Sequence, residues 1–199
     1  MDRRDPQLIL ASASPRRAAL LAQLKLTFRV LPSDVDEVPR AGESADALVQ
    51  RLAVAKAMAS ALKTDQRVPT LGADTVVQCD GVTLGKPVDR ADALAMLTRL
   101  SGRSHDVHTA VALVRRGQVA ARLNVSRVYF RHISLREAEA YWASGEPNDK
   151  AGGYGIQGIG GIFVSRIEGS FSAIAGLPLA ETEALLHTFG VDTWQYRGA

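Results

Sequence analysis

Short apolar runs alternate along the chain with longer segments whose apolar residues return at helical spacing, and this interleaving limits the possible folds more than any other feature. Leu8-Ile9-Leu10-Ala11 reads as a buried strand leading through Ser12-Ala13-Ser14 into a helix, with Ser14 suited to the N-cap and Pro15 to the first helical position. A second helix is predicted from about Ser44 to Lys63, on a stripe of Leu48, Leu52, Ala55, Ala59 and Leu62. Thr70 to Gln78 and Val82 to Gly85 read as two strands around Asp80-Gly81, a hairpin signal. A helix from about Asp89 to Leu100 follows, then strands His105 to Val114 and Val119 to Phe130, joined near Arg116-Gly117. Ser134-Leu135-Arg136-Glu137 has the capping-box pattern and opens a helix to about Ala143. Glycines dominate Gly145 to Gly161; a strand is expected at Ile162 to Ile167 and a last helix at Leu179 to Thr188, ended by Gly190. This order predicts an α/β fold, a mixed sheet with helices on both sides. No internal repeat or linker interrupts it, so residues 1–199 are read as a single domain.

Composition narrows the function classes. Of the 199 residues, 46% are hydrophobic and 23% charged, which is globular composition rather than that of a disordered chain. The net charge of +3 is too small to argue for a nucleic-acid partner, and the 6% of aromatics are not interleaved with a basic stripe. The single cysteine, Cys79, cannot form an internal disulfide or a cysteine metal cluster and fits a reducing compartment. No apolar run approaches the length that spans a bilayer, and Leu8 to Ala11 is too short for the apolar region of a signal peptide. The expectation is a cytoplasmic protein with no membrane partner.

Several polar clusters carry chemistry. Ser12, Ser14, Arg16 and Arg17 stand where a strand passes into a helix, so hydroxyls, free backbone N–H groups and two guanidinium groups converge as at a phosphate site; a solvated helix start with surface arginines is the alternative. Asp74 lies inside the apolar strand Leu71 to Val77, where a carboxylate is costly unless paired or metal-bound. A three-residue hairpin loop sets Asp74 opposite Lys86, and a two-residue loop sets Thr75 there. Asp74 is then half of a structural ion pair, or a metal-binding carboxylate or general base beside a phosphate-binding lysine. Lys56, at the flank of its helix's apolar stripe, either snorkels or points into a cleft. Asp34, Asp36 and Glu37 form one acidic loop, and Glu146, Asp149 and Lys150 a second cluster; either is ordinary solvated surface, or together they suit Mg²⁺ and a polyphosphate. Gly153 to Gly158 matches GxGxxG but is followed by a strand-like run where the dinucleotide motif needs a helix. There is no GxxxxGK[ST] and no GxSxG.

Taken together, the motifs resemble one family. Ser12-Ala13-Ser14-Pro15-Arg16-Arg17 is similar to the SxSPRR opening of the Maf nucleotide pyrophosphatases, Asp74-Thr75-Val76-Val77 to their DTVV and Gly85-Lys86-Pro87 to their GKP. Ser101 to Thr109 resembles SGxxHxVxT, Gly145 to Gly158 resembles GEPxDKAGxYGIQG, and Gly176-Leu177-Pro178-Leu179 matches GLPL. The resemblance implies two lobes around a deep cleft, similar to the inosine triphosphate pyrophosphatases. It implies hydrolysis of a nucleoside triphosphate to the monophosphate and pyrophosphate with a divalent cation, Mg or Mn, and a homodimer. The DKAGxYGIQG form resembles the branch acting on dTTP and UTP, with modified pyrimidine nucleotides as further substrates, a house-cleaning role and a link to cell-division arrest. The same reaction on 7-methyl-GTP or ITP, or a non-catalytic regulator of septum formation, are the alternatives.

Carried over from the resemblance, Asp74 accepts the proton of water, Glu37 and Asp74 stand near the metal, and Lys56 and Lys86 bind phosphates. Arg17, Thr75 and Gln157 match substrate-specificity positions, with Ser12, Ser14, Arg16, Asp149 and Lys150 as further substrate contacts. The Gln157 amide both donates and accepts, as a uracil or thymine edge requires. An aspartate held between a metal and a lysine is expected to have a depressed pKa. Two departures stand out: Ala110 where the family often has Gly, and Gly153 where it often has Ala.

Overall fold

The computed structural model describes residues 5–194. The first strand, β1 (Leu8–Leu10), is fully buried, as its apolar run requires, and gives way to α1 (Pro15–Ala22). Ser14 caps α1, its hydroxyl accepting from the Arg17 amide, and Pro15 starts the helix. β2 (Phe28–Val30) pairs parallel to β1, Leu8 opposite Phe28 and Leu10 opposite Val30. α2 (Ala45–Ala61), capped by Ser44, buries Leu48, Val49, Leu52, Ala53, Lys56 and Ala57.

The ten residues of β3 (Thr70–Cys79) serve two partners. Thr70 and Leu71 pair parallel to β1, while Val77–Cys79 pair antiparallel with β4 (Val82–Leu84). Cys79 opposite Val82 leaves a two-residue loop, Asp80-Gly81, with both residues at positive φ as a type I′ hairpin needs. Of the two registers open in the sequence, the structure takes the one that continues toward Thr75 opposite Lys86, although the ladder itself ends at Leu84. α3 (Arg90–Leu100) is capped by the Asp89 carboxylate. β5 (Ser104–Arg115) and β6 (Gln118–Phe130) are long strands, and α4 (Leu135–Ala143) carries both bonds of the capping box.

The glycine-rich segment forms 3-10 turns at Glu146–Asp149, Ala151–Gly153 and Ile159–Phe163. The strand expected at Ile162 starts two residues later, as β7 (Val164–Glu168), because Gly160 and Gly161 tighten the chain into the last of these turns. α5 (Phe171–Ile174) and α6 (Leu179–Thr188) follow. Among the described residues seven strands form one mixed sheet in the order β2-β1-β3-β5-β6-β7, with β4 on β3.

Two compact units divide the chain. Of the described residues the first holds 5–74, 109–124 and 176–194, and its buried side chains include Leu8, Leu10, Leu21, Leu52, Leu71, Leu113, Leu185 and Phe189. The second holds residues 75–108 and 125–175, around a core of Val77, Leu97, Leu100, Val128, Phe130, Tyr141, Tyr154 and Phe163. The boundary cuts β3 between Asp74 and Thr75.

Candidate active site

In the first unit, β3 sets a carboxylate against α2. Gly72 and Asp74 share a face of the strand because successive side chains alternate. A Cβ on Gly72 would lie 2.2 Å from the Ala53 carbonyl oxygen and 2.6 Å from the Ala57 nitrogen, so the bare glycine lets the α2 backbone lie directly on the strand. On the same helix Lys56 reaches Asp74, its Nζ donating to Oδ1 at 2.6 Å. Asp74 is 6% and Lys56 8% exposed, so this is a buried pair. Lys56 Nζ also lies 2.6 Å from Glu37 Oε1, on an exposed loop that the Asp36 side chain folds by accepting from the Val38 amide.

The start of α1 gathers the hydroxyls and a guanidinium. Ser12 Oγ accepts from the Ser14 amide at 3.2 Å and from Arg17 Nη1 at 3.5 Å, and Arg17 Nε donates to the Gly176 carbonyl at 2.9 Å. Gly176 opens the Gly176-Leu177-Pro178-Leu179 segment, so that motif fixes the arginine. Ser12 is buried, while Ser14, Arg16 and Arg17 are half-buried.

The charges of this group act on one another. Burial pushes the Asp74 carboxyl above its usual value, because the opposing pull of Lys56 and Arg17 does not offset desolvation and Glu37 adds to the rise. The depressed value expected from the sequence is that of an aspartate held between a metal and a lysine; Lys56 by itself does not offset the burial. Burial lowers Arg17 from its usual value, with Asp74 pulling the other way.

The second unit holds the remaining candidates. Thr75 is half-buried on β3, and Lys86 is exposed just past β4. Gly152 donates to the Gly85 carbonyl at 2.9 Å and ties the Gly85-Lys86-Pro87 segment to the glycine-rich one. Lys150 Nζ lies 2.7 Å from Asp149 Oδ1 and 2.6 Å from the Glu146 carbonyl oxygen. Gln157 is exposed in a turn closed by the Gly158 amide on the Gly155 carbonyl at 3.2 Å.

The Glu146 carboxylate is held within its own segment, where the sequence offered ordinary solvated surface or, with the other acidic loop, an Mg²⁺ site. Its Oε1 accepts from Tyr141 Oη at 2.7 Å and the Gly160 amide at 3.0 Å, and its Oε2 from the Ile159 amide at 2.8 Å. Burial pushes this carboxyl up, but those donors outweigh it and hold it below the usual range.

Asp74 and Glu37 converge on one cation, the Lys56 ammonium, and a pair of carboxylates completed by phosphate oxygens and water is how proteins usually hold Mg²⁺. Among the described residues no group of three or more His, Cys, Asp or Glu could hold a metal by itself. Asp74 and Glu37 thus fit a divalent ion that takes its other ligands from phosphate and water.

The family described as Maf-like protein matches residues 7–189, which takes in both units. The chain belongs to the Maf family. A Maf relative named dTTP/UTP pyrophosphatase from Hahella chejuensis is 51% identical over 190 residues, covering 94% of each chain. Another of that name, from Saccharophagus degradans, is 51% identical over 191 residues, covering 94% of this chain and 91% of its own. The crystal structure of a nucleoside-triphosphatase / dITP/XTP pyrophosphatase from Mycobacterium abscessus is similar at a TM-score of 0.43 and 19% identity, over 91% of this chain and 94% of that one.

Within this Maf chain, the sequence motifs sort by unit. The Ser12 to Arg17 motif, Glu37, Lys56 and Asp74 come together in the first. The partner of Asp74 is Lys56, eighteen residues earlier on a helix, whereas the sequence reading paired the acid with a hairpin lysine. Gly72 was missed, although a glycine inside an apolar strand is a signal of close backbone approach. Gly153 sits at φ 69°, a conformation glycine takes freely.

Proposed function

We propose that this Maf-family chain is a nucleoside triphosphate pyrophosphatase that hydrolyses dTTP and UTP to the monophosphate and pyrophosphate. The observation that carries the reading is the buried Asp74–Lys56 pair with Glu37 on the same ammonium and the Ser12–Ser14–Arg17 group in the same unit. An acid, a shared cation and a guanidinium are what attack on a polyanion requires. The dTTP/UTP pyrophosphatase names of relatives about half identical over nearly the whole chain support the substrate class.

Each group has a part in that reaction. Arg17, held through Nε by Gly176 and through Nη1 by Ser12, brings its guanidinium charge to the phosphate oxygens, and Ser12, Ser14 and Arg16 line the same helix start. Lys56 neutralises charge and keeps Asp74 oriented. Asp74 takes the proton from the water that attacks the α-phosphorus. The bond broken joins the α-phosphorus to the bridging oxygen, and pyrophosphate leaves. Lys86 is assigned to the phosphate chain, Asp149 and Lys150 to further substrate contacts, and Thr75 and Gln157 to substrate selection. Asp74 and Glu37 would hold a Mg²⁺ or Mn²⁺ ion, which when bound neutralises phosphate charge and acidifies water.

Residues 1–199 act in this reading as one functional domain and a homodimer, for which light scattering should give twice the 21.3 kDa chain mass. Among the described residues no helix is long and apolar enough to cross a membrane. The cytoplasm is the assigned location because the triphosphate substrates are there.

Hydrolysis in ¹⁸O-water tests the bond assignment. The label is expected in the monophosphate, and label in the pyrophosphate instead would overturn attack at the α-phosphorus.

A further inference from the structure

We infer that Glu146 and Tyr141 are positioning residues for base selection, acting as a clamp that holds the turn carrying Gln157 in one conformation. The inference rests on the reading of Gln157 as the base-selecting residue. Its geometry lies wholly inside the second unit.

The turn is anchored on both sides. Before it, the Gly155 amide donates to Tyr141 Oη at 3.0 Å; after it, the Ile159 and Gly160 amides donate to the two oxygens of Glu146 at 2.8 and 3.0 Å. Tyr141 Oη in turn donates to Glu146 Oε1 at 2.7 Å, so the two anchors are one network. Tyr141 is buried and meets the Phe163 ring edge-on, with centroids 5.1 Å apart, which fixes its hydroxyl from behind.

The glycines of the segment are cleared for this clamp. A Cβ on Gly158 would lie 2.3 Å from Glu146 Oε2, and one on Gly160 would lie 2.5 Å from Tyr141 Oη. The backbone therefore passes directly over the carboxylate and the phenol, with no side chain between. Gln157 lies between the anchored amides and is itself exposed. A flexible amide recognises a base edge poorly, since ordering it must be offset from the binding energy; an already ordered turn avoids that loss. The oxygens of Glu146 hold loop amides and a phenol, so its effect falls on selection more than on the chemical step.

Two variants test the clamp. Glu146→Gln keeps the shape but sets an NH₂ donor against groups that themselves donate, and Tyr141→Phe keeps the ring packing while removing the hydroxyl. Each should raise KM for dTTP and UTP by about tenfold and narrow their preference over CTP by about the same factor, with kcat within about threefold of wild type. The double variant should be little worse than either single one, because both cut one network. Amide hydrogen exchange reads the clamp without any nucleotide: Gly155, Ile159 and Gly160 should be protected in the wild type and exchange faster in both variants, at unchanged far-UV circular dichroism. Unchanged KM and preference in Glu146→Gln, or unchanged protection of these amides, overturns the clamp while leaving the pyrophosphatase reading intact. A wild type that turns over no nucleotide overturns that reading and the base-selection role with it, and the exchange rates still decide whether the clamp exists.

Discussion

Gly72 and Ala53 lie so close that a Cβ on the first would stand 2.2 Å from the carbonyl oxygen of the second. Helix α2 is pressed onto β3 at that point, and further along the helix Lys56 meets Asp74. The missing side chain at Gly72 thus sets the geometry of the carboxylate two residues on.

Gly72→Ala should therefore cost both stability and turnover. The clash is with helix backbone, which cannot rotate away, so a loss of about 3 kcal/mol is expected, near the upper end for overpacking. For a chain of this length that lowers Tm by roughly 6–12 °C. The shift of α2 should also move Lys56 off Asp74 and reduce kcat. A thermal melt and an activity assay that both match wild type would refute this account of the strand–helix contact.

His105 sets a pH limit on stability. It is buried, its Nε2 lies 2.8 Å from Tyr154 Oη, and Nδ1 has no partner among the described residues. Desolvation holds its pKa at about 4, against 6.5 for an ordinary histidine. The folded state stays neutral between pH 6.5 and 4 while the unfolded chain takes up a proton, so stability is full above 6.5 and falls toward 4. The loss from this group is about 3 kcal/mol over that window. Urea titrations at pH 7, 5.5 and 4.5 should show this slope in the wild type and a flatter one in His105→Gln. Glu43 and Glu137, held at about 2 by their hydrogen-bonding partners, add their losses at lower pH. Equal slopes in the two proteins would contradict the assignment.

Much of the fold is legible in local pattern. The Ser14-Pro15 start, the Asp80-Gly81 hairpin, the Ser134 to Glu137 capping box and the Gly190 stop each depend on a few neighbouring residues, and each is in place. β2 escapes such reading because its three residues are half-buried or exposed and owe their conformation to β1. The 3-10 turns escape it because glycine-rich backbone takes its shape from distant acceptors such as the Glu146 carboxylate.

The site follows the same division. The motifs pick out Asp74 and the Ser12 to Arg17 group, because an acid in an apolar strand and hydroxyls before a helix are local anomalies. The pairing of Asp74 with Lys56 is tertiary, set by how α2 crosses β3, and so is the rise in the Asp74 pKa. Glu146 reads as one more acid of a charged loop until its three donors are seen.

The most direct test of the central claim is product analysis with Mg²⁺ and each of dTTP, UTP, CTP, GTP, ATP, ITP and 7-methyl-GTP, run on the wild type and on Asp74→Asn. The account predicts monophosphate and pyrophosphate mainly from dTTP and UTP, and a kcat lower by about a hundredfold in the variant, the scale of a lost general base. The same products mainly from ITP or 7-methyl-GTP would contradict the pyrimidine assignment. No turnover by the wild type, or an Asp74→Asn enzyme as fast as the wild type, would contradict the catalytic account itself.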